Sequence, residues 1–155
     1  MHVLACMTKN VLVIDPWMSI LEVAQKMRDG DVGCLLIGEN DRLVGIVTDR
    51  DIVIRGLAEV RNTATTPVRG IMSSGVLYCF EDQTIEEAAK SMARHGVRRL
   101  AVLNRQKRLV GIVSLGDIAA ATNQALEVAD ALGRISMHGK REIQIHAGNR
   151  QSVLT

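Results

Sequence analysis

The string LVGIVTDRDI at Leu43 to Ile52 returns as LVGIVSLGDI at Leu109 to Ile118. A near-copy of ten residues, 66 positions further on (109 minus 43), makes internal duplication the first constraint on the fold. Whatever architecture the chain adopts is built from one unit used twice.

In the first copy, VLVI at Val11 to Ile14 is a β-branched run closed by Asp15 and Pro16, which predicts a short strand and a turn. Ser19 and Glu22 have capping-box spacing, and Ile20, Val23, Ala24 and Met27 share one face, so a helix runs from Ser19 to about Arg28. VGCLLI at Val32 to Ile37, the tight turn GENDR and the run LVGIVT predict an antiparallel hairpin. TDRD at Thr48 to Asp51 repeats the capping pattern, and a second helix continues over Ile52 to Leu57. The order is β-α-β-β-α.

The register returns at Ile71, where IMSSGVLYCFEDQTIEEAAKSM aligns with CMTKNVLVIDPWMSILEVAQKM, 65 positions earlier (71 minus 6). Thr84 and Glu87 repeat the capping box, and VRRLAVL at Val97 to Leu103 answers VGCLLIG. The loop NRQKR is one residue longer than its counterpart, which turns the offset of 65 into 66. SLGD at Ser114 to Asp117 opens a final helix from about Ile118, with helical spacing persisting at Leu126, Ala129 and Leu132. Ala58 to Arg69 has the composition of a connector, and a short strand is expected at Glu142 to His146.

Hydrophobic residues make up 47% of the 155, enough for one ordinary domain or two small ones. Aromatics are only Trp17, Tyr78 and Phe80, so the core is aliphatic and base-stacking platforms are disfavoured. A net charge of +2 with interspersed signs argues against a broad polyanion-binding face, although Arg98, Arg99, Arg105, Lys107 and Arg108 concentrate charge for a local anion site. Cys34 and Cys79 lie in apolar stretches and read as buried thiols, and Cys6 completes no CxxC pair. His2, His95, His138 and His146 lack paired-ligand spacing, so no metal is expected. MHVLACMTKN is unlike a secretory signal and no apolar run reaches membrane-spanning length, so the expectation is a soluble cytoplasmic protein with no membrane partner.

The doubled M-x-x-x-V lead-in, the capped first helix, HGVRRLAV at His95 to Val102 and LVGIV-[TS]-x-x-D-I in both copies resemble the tandem CBS-domain family, the arrangement called a Bateman module. The resemblance covers about Met7 to Thr122. It implies an α/β (α+β) fold in which two β-α-β-β-α repeats, residues 6–57 and 71–122, pack about a pseudo-twofold axis, with 58–70 as linker and 123–155 as a helical or irregular tail. It also implies clefts between the repeats that bind an adenine nucleotide (AMP, ADP or ATP), association as a homodimer, and a sensor role. With no attached enzyme visible, the expected role is control of a regulated partner in trans.

The T/S-x-x-D motif needs no ligand to explain it, since it starts a helix in each copy and capping alone accounts for it. However, Glu22 and Glu87 serve the other two boxes, and Asp51 and Asp117 occupy only the signature positions. The shorter carboxylate is expected to reach back less well and to keep its oxygens for a diol. In the resembled family the matching Asp51 and Asp117 bind ribose, Thr48 and Ser114 supply hydroxyls, and the helix N-terminus offers free amides to phosphate. Arg98 and Arg99 match basic positions that face phosphate, where the first copy has Gly33 and Cys34. Arg50 answers to Gly116, so two unequal sites are expected.

Ile46 and Ile112, with Thr8 to Val11 and Ser73 to Val76, are candidate walls for the adenine base. Gly45 and Gly111 read as points where a strand passes close to a neighbour. No nucleophile, base and orienting group can be assembled, so neither catalysis nor a catalytic cofactor is expected. The alternatives are a protein-interaction or oligomerisation module without nucleotide, a binder of an S-adenosyl ligand, and a nucleic-acid binder, the last weakest on charge and aromatic content.

Overall fold

The computed structural model describes residues 1–122 and 128–135, so the strand expected at Glu142 to His146 lies outside the described residues. Both repeats have the order β-α-β-β-α. The first consists of β1 (Val13–Ile14), α1 (Ile20–Gly30), β2 (Cys34–Glu39), β3 (Arg42–Thr48) and α2 (Asp49–Asp51), which widens into π-helical Ile52–Leu57. The second consists of β4 (Tyr78–Phe80), α3 (Ile85–His95), β5 (Arg99–Leu103), β6 (Leu109–Ser114) and α4 (Leu115–Ala121). A further helical stretch covers 128–135. In each sheet the middle strand pairs parallel with the short first strand and antiparallel with the third.

Turn chemistry accounts for the change of offset between the copies. Asn40 (φ 52°) and Asp41 (φ 60°) form a two-residue loop between the paired Glu39 and Arg42, the primed turn that matches strand twist. In the second hairpin Asn104 and Arg108 close a three-residue loop through a 2.9 Å backbone bond, with Lys107 at φ 59°. The extra residue sits at the hairpin tip.

The compact units cut across the sequence repeats. One is residues 10–77; the other joins residues 1–9 to the described residues from 78 onward. In the 10–77 unit, the amide of Ile20 donates to the Thr66 carbonyl (3.0 Å) and Val68 donates to Met18 (2.8 Å). Ile46 and Ser73 exchange two backbone bonds of 3.0 and 2.9 Å. The other unit repeats this pattern with its N-terminal segment: Ile85 donates to Met1 (3.2 Å), Val3 to Gln83 (2.9 Å), and Thr8 and Ile112 exchange bonds of 2.8 and 3.0 Å. Each lead-in segment is therefore bonded to the elements of the other copy. Residues 58–70, the expected linker, contribute buried Val68 to the core of the 10–77 unit.

That core forms because α1 turns Ile20, Val23 and Met27 toward Leu35, Ile37 and Val47 of the sheet. Burying each such side chain stabilises the fold by roughly 1.5–3 kcal/mol. The alternation of β2 and β3 places Cys34, Leu36, Ile46 and Thr48 on the opposite face. A Cβ added to Gly45 would lie 2.5 Å from the Met72 sulfur and 3.1 Å from the Ser73 carbonyl oxygen. At Gly111 it would lie 2.7 Å from the Thr8 carbonyl oxygen and 2.8 Å from the Met7 sulfur. The neighbour expected at both glycines is thus the lead-in segment with its methionine.

Cys79 is buried, as expected, whereas Cys34 is only half-buried because it opens β2 at the sheet end. Burial, with a smaller effect from nearby Cys6, pushes the Cys79 thiol up to about 11 from its ordinary value of 9.0. A raised folded-state value means that the unfolded chain loses this proton first. The contribution is therefore intact below pH 9 and is lost as pH rises toward 11. Denaturant unfolding at pH 8 and pH 11 should show an alkaline loss that is smaller in Cys79→Ala by about 2 kcal/mol. Equal losses in the two proteins would show that Cys79 is not its source.

Candidate functional site

In the 10–77 unit the hairpin delivers Thr48 to the start of α2. The Thr48 amide donates to Asp51 Oδ2 (2.9 Å), its hydroxyl donates to the same oxygen (3.0 Å), and the Asp51 amide donates back to the hydroxyl (3.1 Å). Ser114 and Asp117 match this in the other unit, with both Ser114 donors 2.7 Å from Asp117 Oδ2 and a return bond of 3.1 Å. The expectation that aspartate reaches back less well than glutamate is corrected. The backbone adjusts, since Thr48 and Ser114 cap at φ −115° and −113°, against −66° and −75° at Ser19 and Thr84 of the glutamate boxes. In both aspartates these cap bonds fall on one carboxylate oxygen, leaving the other outside the box.

The expected free amides at these helix starts need a second correction. In the first repeat Asp49 donates to the Gly33 carbonyl (3.0 Å), Arg50 to Asp49 Oδ1 (2.8 Å) and Asp51 to Thr48, so all three are engaged. In the second, Leu115 donates to the Arg98 carbonyl (3.1 Å) and Asp117 to Ser114, and the Gly116 amide between them has no partner among the described residues. The expectation therefore fails at the first helix start and holds at Gly116 in the second.

Ile46, half-buried and bridged to Ser73, lies two residues before Thr48 on β3, and Arg55 stands beside Asp51. Arg55 lies four residues beyond Asp51, its Nε 3.8 Å from Asp51 Oδ1. Its Nη1 donates to the Ile71 carbonyl (3.2 Å) and approaches Ser73 Oγ at 3.5 Å. The sequence reading missed this residue, although acid and base at i and i+4 in TDRDIVIR form a legible helical pair. Arg50 is exposed one turn earlier.

Ile112, bridged to Thr8, lies two residues before Ser114 on β6, and the exposed Arg98 and Arg99 flank the start of α4 through the Arg98 carbonyl and the pairing of Arg99 with Ser114. Arg99 is directly opposite Ser114 in the sheet, as Cys34 is opposite Thr48, so the expected correspondence between the copies holds in register. The position matching Arg55 is Ala121, and the position matching Arg50 is the exposed Gly116. Arg105, expected to add to an anion site, instead pairs with Asp82 (2.8 Å) and lies over the Phe80 ring at 4.4 Å. Among the described residues no three His, Cys, Asp or Glu side chains are grouped to hold a metal ion, and no helix is long and apolar enough to cross a membrane.

The model of the CBS domain family matches residues 3–57 and 68–123. The chain belongs to the CBS-domain family. This CBS protein is 37% identical over 130 residues to the CBS domain-containing protein YhcV of Bacillus subtilis, covering 84% of this chain and 91% of that one. It is 39% identical over 114 residues to hypoxic response protein 1 of Mycobacterium tuberculosis, covering 73% and 79%. The crystal structure of that response protein, which holds two coordinated zinc ions, matches with TM-score 0.71 at 36% identity, covering 79% of this chain and 99% of that one. The CBS domain pair of protein MJ0100, solved with 5′-methylthioadenosine and S-adenosyl-L-methionine, matches with TM-score 0.69 at 26% identity, covering 78% and 94%.

Proposed function

We propose that this CBS pair is a non-catalytic regulatory module that binds an adenine nucleotide, AMP, ADP or ATP, through Asp51 and Asp117, and that occupancy controls another protein. The observation that carries the reading is the division of labour within each carboxylate. One oxygen closes the helix cap, and the other lies outside the box, where it can accept from a ribose hydroxyl. Thr48 and Ser114 position the carboxylates, Ile46 and Ile112 offer apolar walls to adenine, and Arg50, Arg98 and Arg99 supply positive charge for phosphate. MJ0100 supports the ligand class, because both of its ligands carry adenosine.

Thermal unfolding and calorimetric titration against AMP, ATP, S-adenosylmethionine and NAD test the proposal. A ligand at about 100 times its Kd stabilises the folded chain by about 2.7 kcal/mol, a readily measured rise in Tm. Asp51→Ala and Asp117→Ala each lose a capping interaction, lowering the ligand-free stability by about 0.5–2 kcal/mol. The decisive readout is the ligand-induced shift relative to each variant's own baseline, which should vanish in the double variant. The same shift in wild type and double variant, or none with AMP or ATP in wild type, would reject the reading. A response to S-adenosylmethionine alone would move the ligand to the S-adenosyl class.

A further inference from the structure

The two capping carboxylates differ in one neighbour. Asp51, whose side chain is 17% exposed, already faces a cation: Arg55 Nε stands 3.8 Å from the oxygen that the cap does not use. The guanidinium is held from its other side by the Ile71 carbonyl and Ser73 Oγ, both on the lead-in segment that also bridges Ile46. Asp117 has no such companion on its own helix, where Ala121 occupies the matching position.

We infer that Arg55 sets the charge of the ligand admitted at Asp51, selecting a nucleoside that carries an anionic group over an uncharged nucleoside or a cationic S-adenosyl ligand. This rests on reading Asp51 as the ribose-binding carboxylate. An arginine keeps its charge at every physiological pH. At 3.8 Å and with the Arg55 side chain 46% exposed, the ion pair with Asp51 is weak enough for a diol to replace it. The diol's hydroxyls then donate to Oδ1 in place of the guanidinium, which leaves the Asp51 carboxylate charged and Arg55 with donors to spare. Arg55 Nη2 has no partner among the described residues and can donate to a phosphate on the 5′ carbon, carried by the same ring as the diol. An uncharged nucleoside offers Arg55 no anion, and a sulfonium at the 5′ carbon adds a like charge.

The test uses the full chain carrying Asp117→Ala, so that Asp51 is the remaining ribose carboxylate. AMP, adenosine and S-adenosylmethionine are titrated by calorimetry, then again with Arg55→Ala or Arg55→Lys added. AMP should bind more tightly than adenosine, and Arg55→Ala should shrink that preference about tenfold, the size of one charge-assisted contact. S-adenosylmethionine should gain relative to AMP in the same variant. Arg55→Lys keeps the charge and should keep most of the preference, which separates charge selection from a packing role. Binding with an AMP-to-adenosine ratio unchanged to within about twofold in Arg55→Ala overturns the inference while leaving the ribose reading intact. No binding of any of the three ligands to wild type overturns both.

Discussion

Replacing Ile20 by alanine should destabilise the 10–77 unit by roughly 2–5 kcal/mol, the range for removing a branched aliphatic side chain from a packed core. Ile20 is fully buried and opens α1. Its amide is tied to the Thr66 carbonyl, which fixes the helix start, and its methyl groups lie 3.7 Å from where a Cβ on Gly56 would stand. Gly56 has no side chain with which to fill the space, and its backbone belongs to the π-helical stretch, so the cavity collapses poorly. Leu21, the next residue, is 43% exposed, and its alanine variant should stay within about 0.5 kcal/mol of wild type. Urea unfolding of the two variants gives the comparison. Equal midpoints would mean that α1 does not anchor this core.

Gly111→Val should cost about 3 kcal/mol, with a smaller cost for Gly45→Val, because inserted carbon meets backbone in one case and mainly a flexible side chain in the other. The carbonyl 2.7 Å from a Cβ at Gly111 is that of Thr8, which accepts the Ile112 amide at 3.0 Å. Relieving the clash therefore breaks the bridge to the lead-in segment. At Gly45 the nearest atom is the Met72 sulfur, on a chain with three rotatable bonds, and the Ser73 carbonyl stands back at 3.1 Å. Denaturant midpoints should rank wild type above Gly45→Val above Gly111→Val. The reverse order would show that the methionine, and not the Thr8 carbonyl, limits the space.

Much of this arrangement was legible because its signals lie in side-chain types at short range. Ser19 with Glu22 and Thr84 with Glu87 announce helix starts, and both boxes are formed. The extra residue of NRQKR announced a longer hairpin tip. Alignment of Arg99 with Cys34 was readable from the repeat alone and agrees with the strand register.

What stayed hidden follows from physics that leaves no residue signature. The bonds from Ile20 to Thr66 and from Ile85 to Met1 join backbone to backbone, and any residue but proline can donate them. Nothing in the side chains therefore told which copy each lead-in segment serves. The φ change that lets Asp51 and Asp117 close their boxes belongs to Thr48 and Ser114, residues compatible with either geometry. Arg55 was visible only as a helical ion pair, a pattern most often found on solvated surfaces. Its reach to Ile71 and Ser73 depends on the lead-in segment being there.

The exchange of lead-in segments also orders events during synthesis. Residues 10–77 are an uninterrupted stretch, complete once residue 77 has left the ribosome. The partner unit closes only when strands made later recover residues 1–9, made before the whole of the other unit. Val3 and Met7, both buried at the end, remain exposed until then, for seconds at about 5–20 residues per second. A cut between Lys9 and Asn10 would spare the earlier-made unit and strip the later one of the segment along β6, so damage at the front of the chain would register in its second half.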